Sequence, residues 1–283
     1  MELSFESFAE QHGLIIDHVV HDRWVRVPTT DKPQSKNGAY IWDGRSGAIQ
    51  NWAVHEKPIA FLSKKEFVPD PKYYEKKRQA EEKRKKKNHW AIKVAKDLLD
   101  NSIKMVHPYM AKKGFPDFKV PVFTAGSMFP DLAKYDGCMI LPMRIGDKLV
   151  GCQTISKDGE KKFLYGQITK EAELVIDNKG RHILCEGYAT AMSVRRALQF
   201  LKKRYTIHVC FSASNILQIA SKYDNCIIVA DHDPVGIRTA KKTGKPFWLS
   251  PLDCEDFNDY EVRVGVGEAG KSLIAVGLKV ASL

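Results

Sequence analysis

The sequence predicts an α/β protein whose C-terminal part is built on a mostly parallel sheet. Three observations predict it. After Lys179-Gly180, short apolar runs alternate with stretches of helical spacing; the runs are Ile183-Leu184-Cys185, residues 207–211, residues 226–230 and Pro246-Phe247-Trp248-Leu249. Apolar strands separated by helices form a sheet covered on both faces. Hydrophobic residues make up 43% of the chain, which supplies an ordinary packed core. The length of 283 residues, against roughly 150 per domain, gives about two domains.

Residues 1–68 read as a small module of mixed structure. Residues 4–9 (SFESFA) suggest a short helix; Trp24-Val25-Arg26-Val27 and Ala39-Tyr40-Ile41-Trp42 suggest strands. Asp43-Gly44 is a hairpin signal leading into Ala48-Ile49-Gln50-Asn51-Trp52. Trp24, Trp42 and Trp52 are expected to form the module's core, the alternative being a base-stacking platform shared with Arg23, Arg26 and Arg45. Residues 69–97 form a basic linker. Between Lys72 and Lys96 lie eleven Lys or Arg against three Glu, including Lys83-Arg84-Lys85-Lys86-Lys87. A long solvated helix or a mobile linker accounts for that composition, and its charges could also neutralise phosphates.

Residues 98–178 are expected to be a basic α+β subdomain. A helical stretch is expected from about Ile92 to Met110 and Gly114. Strands then follow over 138–144, 148–155 and 161–165, with turns at Ile145-Gly146-Asp147 and Lys157-Asp158-Gly159. Residues 179–283 hold the parallel sheet. Helices are expected over 188–204, over 212–223 and after Gly236. The glycine-rich stretch 265–271 reads as a tail turn; its spacing does not make a P-loop.

The charge sum is 45 Lys and Arg against 34 Asp and Glu, or +11, which favours a polyanionic partner. No apolar run reaches the ~18 residues of a membrane span. The opening MELSFESFAEQHG lacks a signal-peptide pattern, so a cytoplasmic location and no membrane partner are expected. The six cysteines have no CxxC or Cys/His metal spacing, so no zinc is expected.

Ligands of open parallel sheets sit beyond the carboxyl ends of the strands. Glu186 emerges at one such end, and Asp231 and Asp233 at another. Positions i and i+2 face the same way while strand geometry persists, and carboxylates gathered there repel unless a cation intervenes. Oxygen donors without Cys or His suit Mg2+ or Mn2+. Asp253, Glu255, Asp256 and Asp259 add a further acidic cluster. Carboxylate-bound metals beside a basic surface are equipment for phosphoryl transfer on nucleic acid.

Glu186-Gly187-Tyr188 and Asp231-His232-Asp233-Pro234-Val235-Gly236, 45 residues apart between Glu186 and Asp231, resemble the two signature motifs of the Toprim domain. That domain is shared by bacterial-type primases, type IA and II topoisomerases and several nucleases. The stretch CMILPMRIGDKLVGCQTISKDGEKKFLYG at 138–166 is similar to the basic subdomain that precedes Toprim in those primases. RVPTTDKPQSKNGAYIWDG at 26–44 and IQNWA at 49–53 look like the N-terminal part of primases carried by plasmids and phages.

The resemblance implies a Rossmann-like Toprim catalytic domain and a DNA primase. Such an enzyme is a nucleotidyltransferase that synthesises short RNA primers from NTPs on single-stranded DNA, with two Mg2+ or Mn2+ ions. A replicative helicase is a candidate partner. It implies Glu186 near the reacting 3′ hydroxyl, and Asp231 and Asp233 on the metal ions. Asp256 and Asp259, in EDFND, would complete the metal site. Arg144, Lys161 and Lys162 would guide template or nucleotide phosphates.

Two departures stand against the family pattern. Thr190 occupies a position, four after the glutamate, where those primases commonly carry an acid. The N-terminal zinc ribbon is also absent in cysteine terms. They motivate one alternative, a non-catalytic DNA-binding replication protein; the other is a Toprim-type nuclease, since the same metal geometry can direct water at a phosphodiester.

Overall fold

The computed structural model describes residues 3–55, 57–63 and 71–278, with backbone alone at 71–73, 76, 277 and 278. The chain divides into two compact units, Met1–Gln79 and Ala80–Leu283. The expected module boundary at 68 lies outside the described residues.

In the first unit α1 (Phe5–Gln11) precedes four strands, β1 (Val25–Val27), β2 (Gly38–Trp42), β3 (Ser46–Asn51) and β4 (Ile59–Leu62). They pair antiparallel in that order. Ser4 caps α1 by accepting from the Ser7 N–H at 3.1 Å, satisfying one orphan donor of the first turn. The Asp43-Gly44 signal is met. The Asp43 carboxylate accepts from the N–H groups of Arg45 and Ser46 at 2.8 and 2.6 Å, and Gly44 takes φ +98°, which only glycine adopts freely. One face of the sheet packs on α1, where Phe5 stacks on Trp42 at 4.5 Å and Tyr40 and Ile49 are fully buried.

The three tryptophans do not share that core. Trp42 is 8% exposed, whereas Trp24 and Trp52 are 52% and 48% exposed. The pleat explains the split, since side chains two apart on a strand share a face and the next residue takes the other. Arg26, Ala39 and Gln50 are cross-strand partners, and Trp24 and Trp52 lie two positions from the ends of that row, on the face away from α1.

The basic segment is a helix, α2 (Pro71–Asp100). Its residues from Lys83 to Lys87 are exposed, but Ala91, Val94, Ala95 and Leu98 are buried. That i, i+3, i+4, i+7 stripe packs on an antiparallel sheet. The sheet consists of β5 (Ser102–Val106), β6 (Lys119–Phe123), β7 (Met139–Ile145), β8 (Lys148–Ile155) and β9 (Lys161–Phe163), with α3 (Pro108–Lys112) between β5 and β6. The helix expected from Ile92 to Gly114 is thus three elements. Ile103 and Val106 are β-branched and favour a strand, and β6 offers them a full antiparallel register.

The second sheet of this unit holds β10 (Leu174–Asp177), β11 (Arg181–Cys185), β12 (Tyr205–Val209), β13 (Cys226–Val229) and β14 (Phe247–Trp248), in the order β10-β12-β11-β13-β14. β10 runs antiparallel to β12, and the remaining pairs are parallel. The helices are α4 (Tyr188–Phe200), α5 (Ala213–Ala220), α6 (Pro234–Thr243), α7 (Phe257–Val264) and α8 (Val266–Leu278). Helices α4, α7 and α8 pack together, as do α5 and α6. Alternate strand residues separate the two layers: Ile183, Cys185, Ile227 and Val229 join the core that contains α4 side chains, and Leu184, Ile228 and Ala230 join that of α5 and α6. The first of these cores continues through Met139, Leu141 and Met143 of β7, so both sheets belong to one packed body.

The expected tail turn is the start of α8. Ala269 and Leu273 are buried there, and a Cβ on Gly270 would lie 2.7 Å from Leu201 Cδ1 and 3.1 Å from the Ala197 carbonyl oxygen. The glycine lets α8 approach α4 closely, a packing role that looks like a loop in sequence.

Candidate catalytic cleft

β11 and β13 are neighbours, yet the chain leaves β11 through α4 toward β12 on one side and leaves β13 through α6 toward β14 on the other. Their carboxyl ends therefore flank a topological switch point, where open α/β sheets form a crevice. Glu186 follows directly on β11, and Asp231 lies two residues beyond β13. Both line a cleft of about 450 Å³, together with Asp256, Asp259, Lys113 and Lys161.

Asp231 is mostly buried, and its Oδ1 has no hydrogen-bond partner among the described residues. Burial pushes its pKa up to about 7, helped by the negative charges of Asp256, Glu186 and Asp233 and opposed by Lys161. Burial also raises Glu186, with Asp233 adding to the effect and Lys161 opposing it. The turn that brings Asp231 here depends on Gly236, where a Cβ would sit 2.3 Å from the Asp231 carbonyl oxygen. At Gly187 a Cβ would meet only ordinary contacts.

Asp233 is exposed and caps α6, accepting from the Gly236 N–H at 2.6 Å. Asp256 caps α7, accepting from the Asp259 N–H at 2.8 Å. The outer oxygens of this acidic pair face Lys113, whose Nζ lies 3.2 Å from Asp259 and 3.6 Å from Asp256. Burial would lower the Lys113 pKa, but the two carboxylates outweigh it and the net direction is upward. Asn258 holds this corner by donating to the Lys113 carbonyl at 2.8 Å and to Ser193 Oγ at 2.9 Å. Lys113, the neighbouring Lys112 and Tyr109 all line the cleft. The sequence marks them only by a basic pair before Gly114, which reads equally well as the end of a helix.

The other residues singled out from sequence divide as follows. Lys161 lines the cleft. Lys162 pairs with Glu160 at 2.9 Å on the surface. Arg144 donates to the Asp147 carbonyl at 2.8 Å across its own turn and is not among the lining residues. Lys83, Arg84, Lys85 and Lys86 project from the exposed part of α2, and Lys87 bonds the Tyr165 hydroxyl at 2.8 Å. His232 is a structural link, with one ring nitrogen on the Ser250 carbonyl at 2.8 Å and the other 3.2 Å from Asp253. Glu255 accepts two bonds from Arg263, at 2.7 and 2.8 Å. Thr190, at the position of the missing acid, is buried at the cleft wall.

The donor set suits a hard divalent cation. It is all oxygen, one buried carboxylate oxygen lacks any partner among the described residues, and Glu186 and Asp231 resist ionisation because burial and the neighbouring carboxylates outweigh the charge of Lys161. Among the described residues no three His, Cys, Asp or Glu side chains are already gathered tightly enough to cage a metal ion. Lys113 supplies the counter-charge on the Asp256 and Asp259 side, leaving Glu186 and Asp231 as the open donors.

No family model matches the chain, and no curated protein matches it. Among solved structures, the DnaG primase catalytic domain bound to single-stranded DNA matches with a TM-score of 0.34 and 17% identity, over 49% of this chain and 52% of that one. The DnaG catalytic core matches with a TM-score of 0.35 and 16% identity, over 50% and 53%. The chain spans about half the length of the structures it matches. A likeness of this size carries no inference about activity. No helix among the described residues is long and apolar enough to cross a membrane.

Proposed function

We propose that this chain is a metal-dependent nucleotidyltransferase of the Toprim class, a primase of the plasmid and phage kind that synthesises RNA on single-stranded DNA. The observation that carries the reading is the buried carboxylate oxygen of Asp231, without a partner among the described residues, in a switch-point cleft also lined by Glu186, Lys112, Lys113 and Lys161.

Mg2+ or Mn2+ at Glu186 and Asp231 would supply charge neutralisation and lower the pKa of the attacking hydroxyl. The chain's own groups do the rest. Glu186, a carboxylate of the same cleft, is placed to accept the proton of a 3′ hydroxyl. Lys161 and Lys112 draw the triphosphate into the cleft, where positioning and electrostatics dominate phosphoryl transfer. Lys113 keeps Asp256 and Asp259 from adding repulsion to the entering phosphates. Asp233 contributes negative field at both acids while fixing the start of α6.

The test incubates the full chain with single-stranded DNA, labelled NTPs and Mg2+ or Mn2+, beside Asp231→Asn. Short labelled products from the parent, lost in the variant, are expected. DNA cleavage without NTPs would replace this reading with a nuclease. Binding with neither product would replace it with a non-catalytic DNA-binding protein.

A further inference from the structure

We infer that the face of the N-terminal sheet turned away from α1 is a stacking site for unpaired nucleic-acid bases, built by Trp24, Trp52 and Arg26. Its choice of ligand rests on the nucleotidyl-transfer reading; its geometry does not. Among the described residues of this unit the aromatic side chains of Phe5, Phe8, Tyr40, Trp42 and Phe61 pack with one another or on their neighbours on the α1 side. Trp24 and Trp52 instead stand half exposed on the opposite face. Burying them in the same core would have been favourable, at ~25 cal/mol per Å2 of apolar surface, so their placement calls for an occupant.

The two rings border one cleft of about 440 Å³, whose lining is completed by Arg26, Ala39, Gln50 and Pro58. Ala39 sits between Arg26 and Gln50 in the cross-strand row. Its small side chain lets Arg26 cross β2, so that the guanidinium lies 4.1 Å from the centre of the Trp52 ring. The Lys36 carbonyl accepts from Arg26 Nε and Nη2 at 3.0 and 2.6 Å and fixes that pose. Among the described residues Arg26 is the one charged residue of the lining, and no acidic one shares it. Two exposed indoles beside a fixed cation on an antiparallel sheet suit flat, electron-rich rings joined by phosphates. Single-strand binding surfaces combine these elements, aromatic faces for bases and cations for the backbone. The unit as a whole is not basic; with six Lys or Arg against eight Asp or Glu in residues 1–63, the attraction is local to this face and weighted toward stacking rather than charge.

The test measures binding of the full chain to a fluorescein-labelled oligothymidylate, and to an abasic oligomer of equal length, in EDTA and without NTPs. The parent is expected to prefer the base-bearing strand. Trp24→Ala/Trp52→Ala should weaken that binding by about ten-fold per ring removed, with little change for the abasic strand and no change in salt slope. Trp24→Phe/Trp52→Phe should retain most of the affinity, which guards against loss by misfolding. Equal binding of the two strands by the parent would overturn the inference, as would unchanged binding by the alanine variant. So would a parent dimer in sedimentation that the alanine variant breaks, since the face would then cover a second copy. EDTA removes metal-dependent chemistry, so failure here and failure of primer synthesis are read separately.

Discussion

At the scale of the residue, the cleft turns on one aspartate held in an unfavourable state. Burial and the neighbouring carboxylates push the Asp231 pKa up to about 7, from an ordinary value of 3.8. The folded protein therefore binds more protons at this site than the unfolded chain between these values, and its stability falls as pH rises through that window. The contribution is fully present below the unfolded pKa and lost above about pH 7. Asparagine cannot ionise, so metal-free Asp231→Asn should melt above the parent at about pH 8, by on the order of 5 °C, with the gap closing toward about pH 5. Added Mg2+ should raise the parent's melting temperature through ligand linkage and leave the variant nearly unmoved. Thermal melts in EDTA and in Mg2+ across this range check both. Coincident curves at about pH 8 would mean that the carboxylate is not strained. The sequence gives away the acids of this site because strand ends are legible, but not Lys113, whose role depends on a helix end brought in from another sheet.

At the scale of the element, what sequence alone reveals follows burial in most strands, the exceptions being β6, largely buried yet without a legible run, and β9, exposed yet expected from its turn. β8, β11, β12 and β13 are largely or wholly buried, and their apolar runs are plain in the sequence. β4, β5 and β10 are edge strands with half or more of their residues exposed, so they carry little pattern in the sequence. The tertiary tie between α4 and α7 is equally invisible. Arg196 donates to Glu261 Oε1 at 2.6 Å, to the Gly114 carbonyl at 2.8 Å, and lies 4.0 Å over the Phe115 ring. Glu261 is 3% exposed. The Arg196 side chain is 36% exposed, so solvent screens part of the pair, and removing it leaves the buried Glu261 carboxylate uncompensated at a cost of about 3 kcal/mol, the low end for a buried pair. Arg196→Ala should show that loss in urea unfolding, and Arg196→Ala/Glu261→Gln should recover part of it. Because Gly114 follows Lys113, the single variant should also loosen the lysine that faces Asp256 and Asp259. A loss below about 1 kcal/mol would place this pair among ordinary surface bridges.

At the scale of the whole molecule, the charge of +11 is concentrated rather than spread. The acids that matter gather in the cleft, whereas Lys83, Arg84, Lys85 and Lys86 stand in solvent on one helix whose C-terminal turns are clamped to the sheet by Ala91, Val94 and Leu98. The composition shows the run, but only the buried stripe shows that it is a rigid, anchored rod rather than a free linker. A rod holds its cations at fixed spacing, so a strand laid along it meets several phosphates at once. Each neutralised phosphate of a single strand adds about 0.7 to the slope of log affinity against log salt. Replacing Lys83, Arg84, Lys85 and Lys86 with alanine should therefore lower that slope by about 2 to 3 and leave the preference for bases over abasic strand intact. Lys87 is left in place because its bond to Tyr165 and the contact of its Cβ side with Gly166 help seat the helix. Titrations of oligothymidylate over a range of salt check this. An unchanged slope would assign the helix a solvating role and move the electrostatic contact to the lysines at the cleft.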